Sequence, residues 1–280
     1  MFRVFSLFAV LLFIQAVSAQ RFTYQPLKPK AGDKVAFTYN AKGSVLPGKT
    51  NPTFSLYHFN FIDKKNGILE FAPTSQKNQV FTGSFTVPQD AKYLALQIAE
   101  EAIIDNNKKE GFLIPVHDAK GNPVMGAAVA LVYLYSGLGD AFLELGPNQE
   151  KALDAINNEW KNYPESHYQL YPHYFRMNFL TKSKEINKIT EDLIKEILAH
   201  PSVKEEDYMR LSSIASVVKM KEKSKQLEAE MQAKYPDGSW KKMEEMIKIN
   251  SIADIDKRVE ALDKIKKKYP ATTINEKEDY

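Results

Sequence analysis

Histidine is the residue type in this sequence best suited to metal binding or acid–base chemistry. The chain has five, at His58, His117, His167, His173 and His200. His167 and His173 are six residues apart, a poor spacing for one helical face, and neither belongs to a His-Glu-x-x-His motif. We therefore interpret the histidines as surface or packing residues, and we predict no metal site.

The sequence contains no cysteine. This excludes disulfides, thiol redox chemistry, cysteine nucleophiles and cysteine-based zinc sites in the chain as written. It also contains no glycine-rich phosphate loop, nucleophile elbow or local Ser/His/Asp grouping, although a triad need not be local in sequence. The sequence thus predicts neither a catalytic set nor a cofactor.

The segment 163–175 is rich in tyrosine, histidine and proline. Its candidate binding residues are Tyr163, His167, Tyr171 and Tyr174, which could line a groove for a peptide or a sugar. The alternative is that these aromatic rings pack between helices. A second segment, 105–111, superficially resembles a calcium loop. It lacks oxygen ligands at alternate positions and a closing Glu, so we predict a turn there.

The charges nearly cancel, with 38 Lys and Arg against 35 Asp and Glu, a net charge of +3. Such a balance gives no strong field for nucleic acid. The lysines of the second half alternate with glutamates, which is typical of solvated helix faces. We therefore expect no nucleic-acid partner. The partner that we expect is a protein or peptide, because the helical runs described below have the length of hairpins that stack to leave concave binding surfaces.

The N-terminal residues 1–19 have the pattern of a secretory signal peptide. Arg3 precedes an apolar stretch over 4–17, and small residues follow at Ser18 and Ala19. Cleavage after Ala19 would make Gln20 the first mature residue. The stretch is short for a bilayer span, so we expect no stable membrane span after signal removal. An uncleaved anchor is the alternative. The predicted location is the periplasm or cell envelope of a Gram-negative bacterium.

Residues 20–120 have the alternating pattern of strands. Val35, Phe37 and Tyr39 fall on one face of one strand, and Phe81 and Phe85 on one face of another. Turn-forming residues separate several such short runs. This pattern predicts an antiparallel β-sandwich of immunoglobulin-like type.

Residues 121–270 change to helical periodicity, and a C-terminal tail follows over 271–280. Helical runs end at Pro164, Pro201, Pro236 and Pro270, at intervals of 37, 35 and 34 residues. A period near 34 is the length of a tetratricopeptide helical hairpin, so we predict an all-α region of tetratricopeptide-like hairpins. Coincidence in a helix bundle is the alternative. Ser202 with Glu205 predicts a capping box after Pro201.

Several short motifs, taken in order, resemble a known family. They are the segment 29–39 (PKAGDKVAFTY), the segment 85–88 (FTVP), the segment 105–107 (DNN) and the segment 111–127 (GFLIPVHDAKGNPVMGA). This looks like the N-terminal region of exported bacterial TlpA-type thioredoxin-like thiol–disulfide oxidoreductases. The resemblance implies a β-sandwich and tetratricopeptide-like helices ahead of a thioredoxin domain. That domain carries a Cys-x-x-Cys site, which this chain lacks, so no catalytic residue can be transferred.

Two main hypotheses follow, and a third is kept beside them. The first is an exported, non-catalytic binding or scaffolding protein that resembles the accessory half of such an oxidoreductase. The second is a truncated or split oxidoreductase whose Cys-x-x-Cys domain is missing. The third, suggested only by the sandwich and the aromatic residues, is a surface glycan-binding protein.

Overall fold

The computed structural model describes residues 21–46, 48 and 51–269. The predicted signal peptide with its cleavage site at Ala19 and Gln20, and the tail 271–280, lie outside the described residues. The chain divides into two compact units, and the division falls between Ser183 and Lys184.

The first unit begins with short antiparallel strands. They are β1 (Phe22–Gln25), β2 (Lys34–Asn40), β3 (Thr53–Phe59), β4 (Gly67–Phe71), β5 (Ser75–Lys77), β6 (Val80–Thr86), β7 (Tyr93–Glu100), β8 (Ile103–Ile104) and β9 (Phe112–Pro115). One sheet has the order β1-β2-β6-β5. In the other, β4 pairs with β3, β3 with β7, and β8 and β9 both pair with β7. The predicted layout of antiparallel sheets followed by helices is confirmed.

The two sheets pack face to face around an aromatic core. Val35, Phe37 and Tyr39 of β2 are all buried, as their alternation predicts. The ring of Phe37 lies 5.3 Å from that of Phe54 on the opposite sheet. Without cysteine to link the sheets, this apolar packing is their main source of stability.

Strand β7 is buried on both of its faces. Leu94 and Leu96 point into the sandwich, whereas Tyr93 and Ala95 pack against the helix that carries Ala127. A strand covered on both sides needs a continuous apolar run rather than alternation. The first helices therefore belong to the same compact unit as the sheets, and the change from strands to helices near residue 120 lies inside that unit.

The helical elements of the first unit follow β9. They are α1 (Ala127–Tyr133), a π-helical turn (Leu134–Leu138), α2 (Gly139–Leu143), α3 (Gln149–Asn162), a 3₁₀ turn (Pro164–Ser166) and α4 (His167–Leu180). The Asn148 side chain caps α3 by accepting a 3.0 Å hydrogen bond from the backbone N–H of Lys151. In the part of the chain that is described, no helix is both long enough and apolar enough to cross a membrane.

The second unit consists of amphipathic helices. They are α5 (Ile186–Leu198), α6 (Glu205–Val217), α7 (Lys221–Lys234), α8 (Ser239–Asn250) and α9 (Ile255–Lys268). Helices α6 and α8 begin 34 residues apart. Helices α7 and α9 are equally long and also begin 34 residues apart. Helices α3, α5 and α7 each end within three residues of a proline, as predicted, because proline cannot continue a helix.

The predicted capping box of Ser202 and Glu205 is wrong. Helix α6 begins at Glu205, and Asp207 accepts a 2.9 Å hydrogen bond from the backbone N–H of Lys204. The Glu205 carboxylate instead binds residues of another helix. A local sequence pattern cannot distinguish these outcomes, because the competing donors are 34 residues away.

Candidate functional site

A groove of about 580 Å³ lies among α6, α7 and α8 of the second unit, and we call it the α6–α8 groove. Its walls are largely apolar, and several of its side chains are well exposed. Val217 is 49 % exposed, Met243 is 50 % exposed and Ile247 is 64 % exposed. Exposed aliphatic and thioether side chains along one cleft are typical of surfaces that bind a partner.

The groove is built from equivalent positions of α6 and α8. Met209 and Ser213 line it from α6, and Met243 and Ile247 line it from α8. Each pair is four residues apart, so its members share one helix face. Met243 and Ile247 lie 34 positions after Met209 and Ser213, so the two helices present the same face to the groove.

Glu205 fixes the start of α8 against the start of α6. Its carboxylate accepts hydrogen bonds from the backbone N–H of Ser239 at 2.9 Å, the hydroxyl of Ser239 at 3.0 Å and the backbone N–H of Trp240 at 2.6 Å. The first N–H groups of a helix have no partner within the helix, and its N-terminus favours negative charge. The Trp240 indole N–H donates to the Tyr235 carbonyl at 2.8 Å, and this bond links the start of α8 to the end of α7.

The polar side of the groove consists of hydroxyls and carboxylates. The buried Ser212 hydroxyl lies 2.9 Å from the Ser224 hydroxyl and also donates to Glu228 Oε1 at 2.9 Å. Glu244 lies 2.8 Å from the Lys248 ammonium. The residues that line the groove include two carboxylates and no lysine, arginine or histidine. The groove therefore offers hydrogen-bond partners and a local negative charge beside apolar walls.

The four residues proposed for an aromatic groove do not share one surface. Tyr171 is 1 % exposed and belongs to the core. His167 and Tyr174 flank the Trp160 ring, with centroids at 4.0 Å and 4.3 Å. Tyr163 lies at the end of α3. The rings of this segment thus pack against helix residues, as in the alternative interpretation.

Tyr163 instead makes a specific polar contact. Its hydroxyl donates a 2.7 Å hydrogen bond to Asp118 Oδ2. The pKa of Tyr163 is raised to about 12, mainly by burial. The hydrogen bond contributes to the rise, because the negative Asp118 carboxylate disfavours a charged phenolate beside it. The backbone N–H of Asn122 donates to the other Asp118 oxygen at 2.9 Å. The contact therefore fastens the turn at Asp118 to the end of α3.

The predicted turn at 105–111 is confirmed, and it holds a buried carboxylate that the pattern did not reveal. Asp105 accepts hydrogen bonds from Arg21 at 3.0 Å and from the Tyr39 hydroxyl at 2.7 Å. Burial is the main cause that raises the pKa of Tyr39 well above its ordinary value. This network joins the loop between β8 and β9 to Tyr39 of β2 and to Arg21, which precedes β1.

A second cleft, of about 450 Å³, lies beside α1 and α3 in the first unit. Its buried polar residue is Glu159, whose carboxylate accepts from the backbone N–H groups of Gly126 at 2.6 Å and Ala128 at 2.9 Å. Burial raises the pKa of Glu159, and these bonds oppose the rise. Because the carboxylate is directed at the backbone where α1 begins, its role is to hold α1 against α3.

Among the described residues, no group of three or more His, Cys, Asp or Glu side chains is placed to hold a metal ion. Comparison with protein-family models, curated proteins and solved structures gives no match. The resemblance to TlpA-type proteins therefore stays a prediction. The α6–α8 groove is the site that the geometry itself indicates.

The residues of this groove were not predicted from the sequence. A signal was present, because Met209 and Met243 share one position of the 34-residue interval that the prolines mark. Comparing helix faces between the intervals would have identified positions 209, 213, 243 and 247 as one surface. The serines at 212 and 224 carry no such signal, because serine is common on solvated helices.

Proposed function

We propose that this protein is an exported, non-catalytic binding or scaffolding protein that holds an extended segment of a partner protein in the α6–α8 groove. The groove with its half-exposed apolar side chains is the observation that carries the proposal. Its volume falls within the range of small-ligand pockets, about 300–1,000 Å³, so volume alone does not choose the ligand. Small-molecule sites enclose most of their ligand, whereas Met243 and Ile247 remain half exposed or more. A shallow surface of this kind favours a peptide.

The chemistry of the groove also suits an extended chain. Ser212, Ser213, Ser216, Ser224 and Gln232 all line it. Hydroxyl and amide groups can pair with the free N–H and C=O groups of an extended peptide. Methionine is flexible and accommodates side chains of different shape. Helix α6 has 13 residues, about 20 Å of length, which matches roughly six extended residues of a ligand.

The architecture supports the same proposal. The 34-residue offset of α6–α7 and α8–α9 supports tetratricopeptide-like hairpins, which stack to leave concave binding surfaces. In the first unit, the orders β1-β2-β6-β5 and β4-β3-β7-β9 correspond to the ABED and C′CFG sheets of an immunoglobulin-like fold. We propose both assignments. Together they form the order of domains that the resemblance to TlpA-type proteins implies.

A groove-filling variant tests the function. Peptides are selected from a random displayed library on the intact protein, and their affinities are measured by fluorescence anisotropy. Ser213 is exposed and lines the groove, so Ser213→Trp fills it without disturbing the core. Ala229 is exposed on α7 but does not line the groove, so Ala229→Trp is the matched control. We expect S213W to abolish binding and A229W to leave it unchanged. Equal binding by both variants would refute the proposal.

A further inference from the structure

We propose that the α6–α8 groove selects segments in which a lysine or arginine lies next to apolar side chains, with Glu228 as the residue that recognises the cation. This inference rests on the proposed function and names its ligand class. The chain as a whole carries a net charge of +3, but the charged residues lining the groove are both carboxylates. The negative groove is thus a local feature.

Glu228 is the carboxylate that is free to act. Ser212 is buried, and its hydroxyl donates to Glu228 Oε1 at 2.9 Å, which holds the exposed Glu228 side chain at the groove. Glu228 has no salt bridge with any cation of the described residues. Glu244, the other carboxylate, already lies 2.8 Å from the Lys248 ammonium. A ligand cation would therefore meet an oriented, unpaired carboxylate at Glu228.

The surroundings of Glu228 favour a long basic side chain over a small cation. Met231 lies one turn further along α7, and Met209 lines the groove from α6. Lysine and arginine lay their aliphatic stems along apolar surface while the charged head reaches a carboxylate. Methionine side chains adapt to such stems. An acidic segment would meet repulsion at Glu228, and a neutral segment would keep the apolar and backbone contacts but gain no ion pair there.

The experiment uses peptides selected on the intact protein and resynthesised with fluorescein in matched forms, carrying Lys, Gln or Glu at one position. We expect the Lys form to bind best and the Glu form worst. E228Q keeps an oxygen for the Ser212 hydroxyl but removes the charge. It should weaken the Lys form roughly threefold to fivefold, leave the Gln form unchanged, and reduce the loss of affinity on adding salt.

Glu230 provides the matched control, because it is exposed on the same helix and does not line the groove. E230Q makes the same change in net charge and should leave all three affinities unchanged. Equal affinities for the Lys and Gln forms, or equal effects of E228Q and E230Q, would overturn the inference. If those peptides still bind wild type and lose binding in S213W, the proposed function stands without this ligand class. If no selected peptide binds at the groove, the proposed function fails as well.

Discussion

Replacing Glu205 with alanine removes the side chain that joins the N-termini of α6 and α8. The carboxylate accepts three hydrogen bonds, two from backbone N–H groups and one from the Ser239 hydroxyl. Loss of an N-terminal capping side chain costs about 0.5–2 kcal/mol, and loss of a negative charge at a helix N-terminus costs about 0.3–1 kcal/mol. These terms overlap, so we expect E205A to lower the free energy of unfolding of the helical unit by about 1–2 kcal/mol.

Glu206→Ala is the matched control for this prediction. Glu206 is the next residue of α6 and is exposed, and among the described residues no hydrogen bond or ion pair joins it to α8. Both variants remove one acidic residue from the first turn of α6, so their difference isolates the contact with α8. E206A should change the free energy of unfolding by no more than about 0.5 kcal/mol.

Urea unfolding followed by tryptophan fluorescence measures the effect. The chain has two tryptophans, Trp160 and Trp240, so a W160F background reports on Trp240 at the start of α8. If the slope of the unfolding free energy against urea concentration is the same in E205A and the parent protein, the shift of the unfolding midpoint reports a change in stability. Amide exchange at Ser239 and Trp240 should also accelerate in E205A, because their N–H groups lose their acceptor. Equal unfolding curves for E205A and E206A would refute the role that we assign to Glu205.

Three further predictions concern the first unit, each measured by urea unfolding with Trp160 fluorescence. D105A leaves the Tyr39 hydroxyl and Arg21 without their buried acceptor and should cost about 3 kcal/mol; a cost below about 1 kcal/mol would contradict the network. G83A would place a methyl group 2.7 Å from ring carbons of a β2 phenylalanine and should cost about 1–3 kcal/mol, so an unchanged midpoint would argue against this packing. Burial raises the pKa of Glu159 above its ordinary value of 4.5, so the folded state binds this proton more tightly than the unfolded chain. Stability relative to E159Q should therefore fall as the pH rises from 4.5 through the raised pKa, and a parallel pH dependence of the two proteins would refute the burial of this charge.

Local pattern predicted much of the first unit and less of the second. The alternation of Val35, Phe37 and Tyr39 was sufficient for β2, because one face of that strand meets the core. In β7, Leu94 and Leu96 alternate as expected of a strand that faces the core, but the burial of Tyr93 and Ala95 depends on helices that come later in the chain. The position of Asp105 inside the sandwich depends on Arg21 and Tyr39, which are distant in sequence.

In the helical unit, prolines marked where the helices end, but they could not show which side chains meet. Glu205 has the sequence context of a local cap, yet its partners are Ser239 and Trp240, one interval later. The aromatic segment 163–175 attracted a binding hypothesis because of its composition. Packing against Trp160 instead accounts for His167 and Tyr174. Composition reveals which residues could bind, whereas exposure and neighbours decide which of them are free to do so.

Photo-cross-linking of a selected peptide to the intact protein tests the central claim most directly. The peptide carries a photoreactive group at one apolar position, and the cross-linked protein residues are identified by mass spectrometry. We predict cross-links to Met209, Met243 and Ile247, the residues that α6 and α8 contribute to the groove. We also predict that these cross-links are lost in S213W and are kept in A229W. Cross-links confined to the first unit, or cross-links that are unchanged in S213W, would contradict the account.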